Sequence, residues 1–522
     1  MPKTTAMESS ARSGVQARRM VRQRTAWPFF FVLLGVATYL YLNLFALPNT
    51  PFLLSGDQVF FWMNAQRMLN GERIYLDFLQ FTPPGTDLLY FVLFKLFGFH
   101  IWVTNAAVLA LGVALCWLCF SFAGEIMQRR PAIITTALFL VLIYGKALNA
   151  THHWFSVLAV MGAVKVCMKK PAFPRIALAG MLLGLASFFN QAHGATALLA
   201  FAVFLFWRQS RTKWSSIDLL QNQAVLFFGY TTALLLPSAH FIAAVGLKQL
   251  WYFQVTYVTK YVVSLSQGQL LGLPGTHTWR DLPRLAPYLV VYISLPVVYL
   301  VALWRCWRER SNPLFPWDRV ALLSIVGSFL LVEVAFSLNW LRLYAVSLPG
   351  IILLVWSLDQ LTKRRHYAAA LIGVGIICLA AQQTISTHAS HSLRAELPGG
   401  AVATVPQTYE KLQWIMLHTR PGEFFLQAGW PGIYLPLQLR NPLYADTLGS
   451  LHTANPRDIE QAIQQLEAKH VRFILWTRSL DLQCDPANPC EDYLMPIRDY
   501  LSHSYAQARI FPDGDVLWQR NE

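Results

Sequence analysis

"SGDQVFFWMNAQRMLNGERIYLDFLQFTPPG", residues 55–85, follows the first long apolar run of the chain. It is too polar to cross a bilayer and too aromatic to be an idle linker. It carries Asp57, Glu72 and Asp77 and ends in a stiff Pro83-Pro84-Gly85 turn. Ser55 followed by Gln58 has the spacing of a capping box, and Asn70-Gly71 is a good helix stop. Between them Val59, Phe60, Phe61, Trp62, Met63 and Leu69 are apolar, while Asn64, Gln66 and Arg67 are polar. The pattern predicts a helix lying on a membrane surface. Asp57 falls in its first turn, where the helix dipole favours the carboxylate form. Such an acid can act as a general base or ligate a cation; a plain capping acid is the alternative. After Tyr75 and Asp77, Thr82 is expected to cap the next helix, with Pro83 in its first position.

Outward from this stretch the chain is apolar. Of 522 residues, 55% are hydrophobic and only 13% charged, and a soluble protein carries about twice that share of charge. Apolar runs near 27–47, 100–123, 132–149, 153–168, 174–190, 194–208, 223–245, 286–304, 319–337, 343–358 and 367–383 predict about eleven transmembrane helices. The expected fold is a polytopic α-helical membrane protein. The net charge of +15 does not point to nucleic acid, because the basic residues sit in short loops between spans. The tail 1–26, with Lys3, Arg12, Arg18, Arg19, Arg22 and Arg24, lacks the pattern of a cleaved signal peptide.

Every second connection is basic: Arg129-Arg130, Lys169-Lys170 with Arg175, Arg208 with Arg211 and Lys213, Arg305 with Arg308 and Arg310, and Lys363-Arg364-Arg365. The positive-inside rule places these and the N-terminal tail in the cytoplasm. The loop 48–99, the turns holding His152-His153 and Asn190-Gln191-Ala192-His193, the loop near 246–285 and the turn at 337–344 then face outward. So do residues 384–522. There "ANPRDIEQAIQQLEAKH" (454–470) predicts an amphipathic helix and "VRFILWT" (471–477) a strand. With "GEFFLQAG" (422–429) and "GDVLWQR" (514–520) they suggest a small α/β domain. The expected division is therefore a tail 1–26, a transmembrane domain 27–383 and an extracytoplasmic α/β domain 384–522. Cys116, Cys119, Cys167, Cys306 and Cys378 read as packing residues of the spans. Cys484 and Cys490 could close a small disulfide loop in an oxidising compartment.

Several stretches together resemble a known class. They are "GDQVFFWMNAQRMLNGERIYLDFLQFTPPG", "FFNQAHGATALLA" (188–200), "NWLRLYAVSLPGIILLVW" (339–356) and "HTRPGEFFLQAGWPGIYLPLQLRNP" (418–442). The chain resembles the GT-C class of integral-membrane glycosyltransferases. Within it, the match is to the bacterial relatives of protein O-mannosyltransferases and lipid A aminoarabinose transferases (glycosyltransferase family 39-like). The resemblance implies a polyprenyl-phosphate sugar donor, a lipid, glycan or protein acceptor, and an essential acid in the first outer loop, a position Asp57 matches. The protein mannosyltransferases carry an Asp-Glu pair, and here Gln58 follows Asp57. That departure weakens the case for a protein acceptor and leaves the requirement for a divalent cation open.

Sugar transfer from such a donor needs an anion site, an apolar groove and a base. Arg342, between Trp340 and Tyr344, can contact phosphate bidentately; a snorkelling interfacial Arg is the alternative. His152 and His153 can bind phosphate or a cation, or simply anchor at the interface. Tyr75, Asp77 and Tyr344 complete the candidate substrate-binding set, while Gln191 and His193 carry no derived role. Asp57 is the expected base in an inverting transfer at the outer face of the inner membrane, and metal ligation is its competing role. A transporter is favoured by the number of spans, but no matched pair of Gly/Pro-interrupted spans is present. A membrane-anchored receptor leaves the polar opening loop unexplained.

Overall fold

A computed structural model describes residues 29–521 apart from 170–171, 212–214, 263–281, 313–314, 336–338, 362–364, 454–455 and 484–491. The basic tail, part of the loop near 246–285 (residues 263–281) and the Cys484/Cys490 pair lie outside the described residues. Helices dominate. The first half runs through α1 (Phe29–Leu44), α2 (Gln58–Leu69), α3 (Gly85–Phe97), α4 (Ile101–Ile126), α5 (Arg129–Leu138), α6 (His152–Cys167), α7 (Phe173–Phe189), α8 (Gln191–Gln209) and α9 (Ser216–Val245). After the short α10 (Leu247–Trp251) a wide-turn helical stretch spans Tyr252–Val262. Then come α11 (Leu282–Arg308), α12 (Trp317–Ala335), α13 (Trp340–Val346), α14 (Leu348–Leu361) and α15 (Arg365–Ser390).

Among the described residues four helices are long and apolar enough to cross a membrane, or five if the bent pair α13–α14 counts as one span. Other expected spans are helices of fewer residues, such as α1 and α7. The expected span 132–149 breaks after Leu138 into a wide turn (Phe139–Ile143) and a tight one (Tyr144–Lys146). The expected span 343–358 bends by 59° at Ser347, whose hydroxyl donates to the Tyr344 carbonyl at 2.7 Å. Pro349, two residues on, also lacks the N–H that would continue the ladder. The last long helix continues past residue 383 to Ser390.

Close helix packing follows from small residues. An added Cβ at Gly180 would lie 2.2 Å from the Leu226 carbonyl oxygen of α9, and one at Gly184 2.2 Å from that of Tyr230. From the other side, a Cβ at Gly229 would lie 2.5 Å from the Ala177 carbonyl oxygen. Gly180 and Gly184 have the small-xxx-small spacing that lets helix backbones touch in lipid. Backbone carbonyls cannot swing aside, so we expect Gly184→Val to cost about 1–3 kcal/mol. A lowered Tm in detergent would report it. Gly373→Ala, at a glycine with nothing within 4 Å of the new methyl, should leave Tm unchanged.

Two charges inside spans are paired. Lys165, near the end of α6, bonds Glu125 near the end of α4, and Glu125 also meets Arg319 Nε at 3.5 Å. These partners tie helix ends together, as expected for costly intramembrane charges.

Beyond α15 the chain forms an α/β region. After the short antiparallel pair β1 (Phe45–Ala46) and β2 (Thr50–Pro51) that follows α1, the next strands are a hairpin of β3 (Leu393–Leu397) and β4 (Gly400–Thr404), which precedes a four-stranded sheet. Its strands β5 (Leu426–Gln427), β6 (Phe473–Trp476), β7 (Tyr505–Ile510) and β8 (Val516–Arg520) stand in the order β5-β6-β8-β7, with only β5/β6 parallel. Helix Pro456–Ala468 and helix Met495–Ser504 pack on it through Ile459, Leu466, Ile497 and Leu501. β6 falls in the run expected as a strand at 471–477 and helix Pro456–Ala468 in that expected as a helix at 454–470, while β5 and β8 fall within 422–429 and 514–520.

This region clamps the loop 48–99. Leu53 N–H donates to the Ala403 carbonyl and Leu79 N–H to that of Tyr444, both at 2.9 Å. Arg440 reaches Glu72 at 3.5 Å. Within the loop Arg67 Nε donates to Glu72 at 2.7 Å and its other arm to the Asp77 carbonyl at 3.0 Å.

The opening stretch departs from expectation in three ways. First, α2 does not lie on the surface: its residues from Val59 to Arg67 are buried except Phe60, so apolar and polar faces alike are packed. The α/β region covers the face that amphipathicity alone would leave in water. Second, no capping box forms. Gln58 Nε2 donates to the Ser55 carbonyl at 2.9 Å, and Gln58 Oε1 accepts from Ala150 N–H at 3.1 Å. Third, Thr82 does not cap α3. Its N–H and hydroxyl both donate to Gln80 Oε1 at 3.0 Å, and α3 starts at Gly85. A side chain at Gly85 would meet the Phe188 carbonyl at 2.5 Å. The expected stop at Asn70-Gly71 is where α2 ends, with Gly71 at φ +87°.

Candidate active site

Gly56, at φ +90°, turns the chain into α2 and leaves Asp57 at its N-terminus. Asp57 makes no side-chain capping bond. Its carboxylate is therefore not occupied by the N–H groups beside it, which argues against a mere capping acid. Burial pushes its pKa up from the ordinary carboxylate value, and the charge of Arg342 pulls it back.

Arg342 arrives from far along the chain. Asn339 caps α13, its side chain accepting from Arg342 N–H at 2.9 Å. The bend at Ser347 sets α13 apart from the rest of the span, so the guanidinium turns inward. There it lies within electrostatic reach of two acids, Glu333 of α12 and Asp57. Glu333 in turn lies 3.2 Å from His193 Nε2.

The histidines join the same centre. His152 and His153 open α6, their rings 3.9 Å apart, and Phe61 of α2 packs edge-on to His152 at 5.4 Å. His153 sits 5.5 Å from the His193 ring, and its Nδ1 is 3.3 Å from Asn190 Nδ2. Asn190 also caps α8 through Ala192 and His193 N–H, which fixes the His193 backbone. The other His193 nitrogen, Nδ1, meets the Ser156 hydroxyl at 2.8 Å. Five separate segments thus converge on one polar cluster inside an apolar fold.

Not every expected residue is part of it. Asp77 is turned away, accepting from Arg73 N–H at 2.7 Å and Nε at 3.2 Å. Tyr75, at φ +69°, is buried among Phe241 and Phe253; its hydroxyl donates to the Thr82 carbonyl at 2.7 Å and accepts from Gln254 at 3.0 Å. Both shape the loop instead of touching the cluster. Tyr344, two residues after Arg342 and so on the other side of α13, is buried, 6.2 Å from the Trp340 ring. Gln191 holds the wide helical stretch by donating to the Gln254 carbonyl at 2.8 Å.

Two acids enter that spacing alone did not single out as site residues. Glu333 lies inside the apolar run 319–337, and its charge there is the one signal that the sequence offers. Asp87 is the one acid of α3, fully buried, accepting from Asn64 at 3.1 Å and Gln80 at 2.8 Å. Burial pushes its carboxyl up to about 7. Its bonds tie α2 to α3, a positioning role.

The cluster does not suit a divalent cation. Among the described residues no three His, Cys, Asp or Glu side chains converge as a metal site. The positive charge beside Asp57 is already supplied by Arg342, which would repel a metal ion placed between them.

No protein-family model matches the sequence, and no curated protein sequence matches it. Solved structures do. The apo structure of ArnT from Cupriavidus metallidurans superposes with a TM-score of 0.60 at 13% identity, covering 95% of this chain and 98% of that one. The same enzyme bound to undecaprenyl phosphate gives 0.56 at 12% identity, with the same coverage. The Archaeoglobus fulgidus oligosaccharyltransferase tethered to an acceptor peptide gives 0.51 at 11% identity, over 95% of this chain and 74% of that one. At this identity the likeness speaks for the fold, and it runs the length of the ArnT chain: the protein has the GT-C fold of integral-membrane glycosyltransferases.

Proposed function

We propose that the chain is a membrane glycosyltransferase that moves a hexosyl or pentosyl group from a polyprenyl-phosphate donor to an acceptor hydroxyl, with inversion, at the outer face of the cytoplasmic membrane. The observation that carries this is Asp57, uncommitted to its own helix and electrostatically coupled to Arg342 in a partly buried polar cluster. A carboxylate there takes the proton of the acceptor hydroxyl as its oxygen attacks the anomeric carbon. The bond from that carbon to the phosphate oxygen breaks on the opposite side, and polyprenyl phosphate leaves. Arg342 is positioned to receive the charge of the leaving phosphate, with His152 and His153 as further N–H donors. The undecaprenyl phosphate held by ArnT fits this choice of donor.

The same reading assigns about eleven spans, a cytoplasmic N-terminus, a transmembrane domain over 27–383 and an extracytoplasmic region 384–522. The alternation of basic loops supports it. A transporter gains little from the structure, because Lys165 and Glu333 are both engaged with neighbouring helices. The deciding experiment puts the purified chain in liposomes with a polyprenyl-phosphate sugar. Product sugar on an acceptor supports transfer; uptake without transfer supports a transporter and overturns the proposal.

The pH profile should carry the same signature. The base works as the carboxylate, so kcat/KM falls as pH drops through the Asp57 pKa. Burial raises that pKa and Arg342 opposes the rise. The acid limb should therefore lie above the ordinary carboxylate range of about 4. In Arg342→Gln the opposing charge is gone, and the limb should move to still higher pH. An acid limb that stays put in this variant would mean the two groups do not interact.

A further inference from the structure

A second cleft opens where three pieces of chain meet: the loop 48–99, the wide helical stretch Tyr252–Val262 and the α/β region. It holds about 150 Å³ and is lined by Tyr252, Tyr257, Tyr444, His452, Asp458 and Gln461, among others. Its walls alternate flat rings with side chains that donate and accept hydrogen bonds.

His452 is its most informative member. The side chain is only 9% exposed, yet its Nδ1 has no hydrogen-bond partner. Asp446 Oδ2 lies 3.6 Å from it, beyond hydrogen-bond reach. This is not an ion pair. Burial pulls the imidazole down to about 4 and pushes the Asp446 carboxyl up to about 8, so both are neutral near pH 7. A neutral imidazole offers one donor and one acceptor, which suits a hydroxyl. A buried polar group left without a partner costs stability, and a ligand hydroxyl would repay that loss. The ring itself is held rigidly, stacked on Phe60 at 5.0 Å and tilted on Phe81 at 5.4 Å. Phe60 lies one helical turn from Asp57 and packs on Trp430 at 4.8 Å, whose indole N–H donates to the Gly56 carbonyl at 3.3 Å. The cleft is thus one ring away from the helix end that carries the base.

We propose that this cleft is a saccharide-binding subsite for an uncharged sugar unit of the acceptor, seated on the tyrosine rings and hydrogen-bonded by His452 and Gln461. The inference rests on the glycosyl-transfer reading for its role, though not for the binding itself. Pyranose rings present an apolar C–H face to aromatic rings and hydroxyls at their rim, as this cleft requires. Asp458 also lines the cleft, and its carboxylate disfavours acidic sugars there.

Saturation-transfer NMR on the full chain in detergent tests it, with methyl β-glucoside, methyl β-N-acetylglucosaminide and glucuronate as probes. At least one neutral sugar should give transfer, and glucuronate should give less. His452→Phe keeps the stack on Phe60 but removes both nitrogens; Gln461→Leu changes an exposed residue and leaves the fold intact. Each should weaken neutral-sugar binding by roughly three- to tenfold, while Asp57→Asn should bind as the wild type does. Equal affinity of Gln461→Leu, His452→Phe and wild type overturns the subsite. Absence of any neutral-sugar signal does so too, and a stronger glucuronate signal overturns the choice of class. Sugar binding in a chain that transfers nothing sinks the transfer reading and leaves the subsite standing. Transfer with an unchanged acceptor KM in both variants does the reverse.

Discussion

Asp57→Asn should lower sugar transfer by about 10²–10⁴-fold, the usual contribution of a positioned general base. The amide keeps the shape of the carboxyl but cannot take a proton at working pH. The local fold should survive, because Asp57 makes no side-chain capping bond that the substitution could break. Burial of an ionised carboxylate is unfavourable, so the variant should be at least as stable as the wild type. That combination separates the roles. A capping acid would lose stability and keep activity; a base loses activity and keeps stability. Turnover of a polyprenyl-phosphate sugar and Tm on the same preparation read both. Near-wild-type turnover in Asp57→Asn would reject the assignment, and the search for a base would pass to Glu333, the other acid facing Arg342.

The sequence exposed the apolar character of the chain, the polar loop after the first span, and the α/β character of the C-terminal region, because each depends on local composition or period. It also exposed Asp57 and Arg342 individually, as charges at the edges of apolar runs. What it could not supply was their meeting. Asp57, His152, His193, Glu333 and Arg342 lie on five segments, and only helix packing brings them together. The misreading of α2 has the same origin. Val59, Phe60, Trp62 and Asn64 look amphipathic, and lipid is the default partner for the apolar face. The structure instead covers the helix with residues from the other end of the chain, such as Asn441, whose Nδ2 lies 3.4 Å from Met63 Sδ. Nothing local announces a cover contributed from so far away. The bend at Ser347 was hidden as well, because the run 343–358 is apolar on either side of the break.

Arg342→Ala should raise the half-saturating donor concentration by about ten- to a hundredfold, the loss of one charge-assisted hydrogen bond of about 1.5–3 kcal/mol. The surroundings sharpen the expectation. Arg342 feels the charges of both Asp57 and Glu333, so its removal leaves two acids without that opposing charge close to the proposed phosphate position. Electrostatic repulsion of the donor then adds to the lost contact. Arg342→Lys restores the charge but not the planar fork that grips two phosphate oxygens, and should recover only part of the affinity. Glu333→Gln provides the control. If Glu333 only orients the guanidinium, neutralising it should change donor affinity less than Arg342→Ala does, and the double variant Arg342→Ala/Glu333→Gln should regain part of the loss by removing one repelling charge. A snorkelling arginine behaves otherwise: lysine would serve equally well, and the double variant would match the single one. Donor titration of the four proteins decides between them, and an unchanged half-saturation in Arg342→Ala would move the phosphate to His152 and His153, whose rings lie 3.9 Å apart at the start of α6.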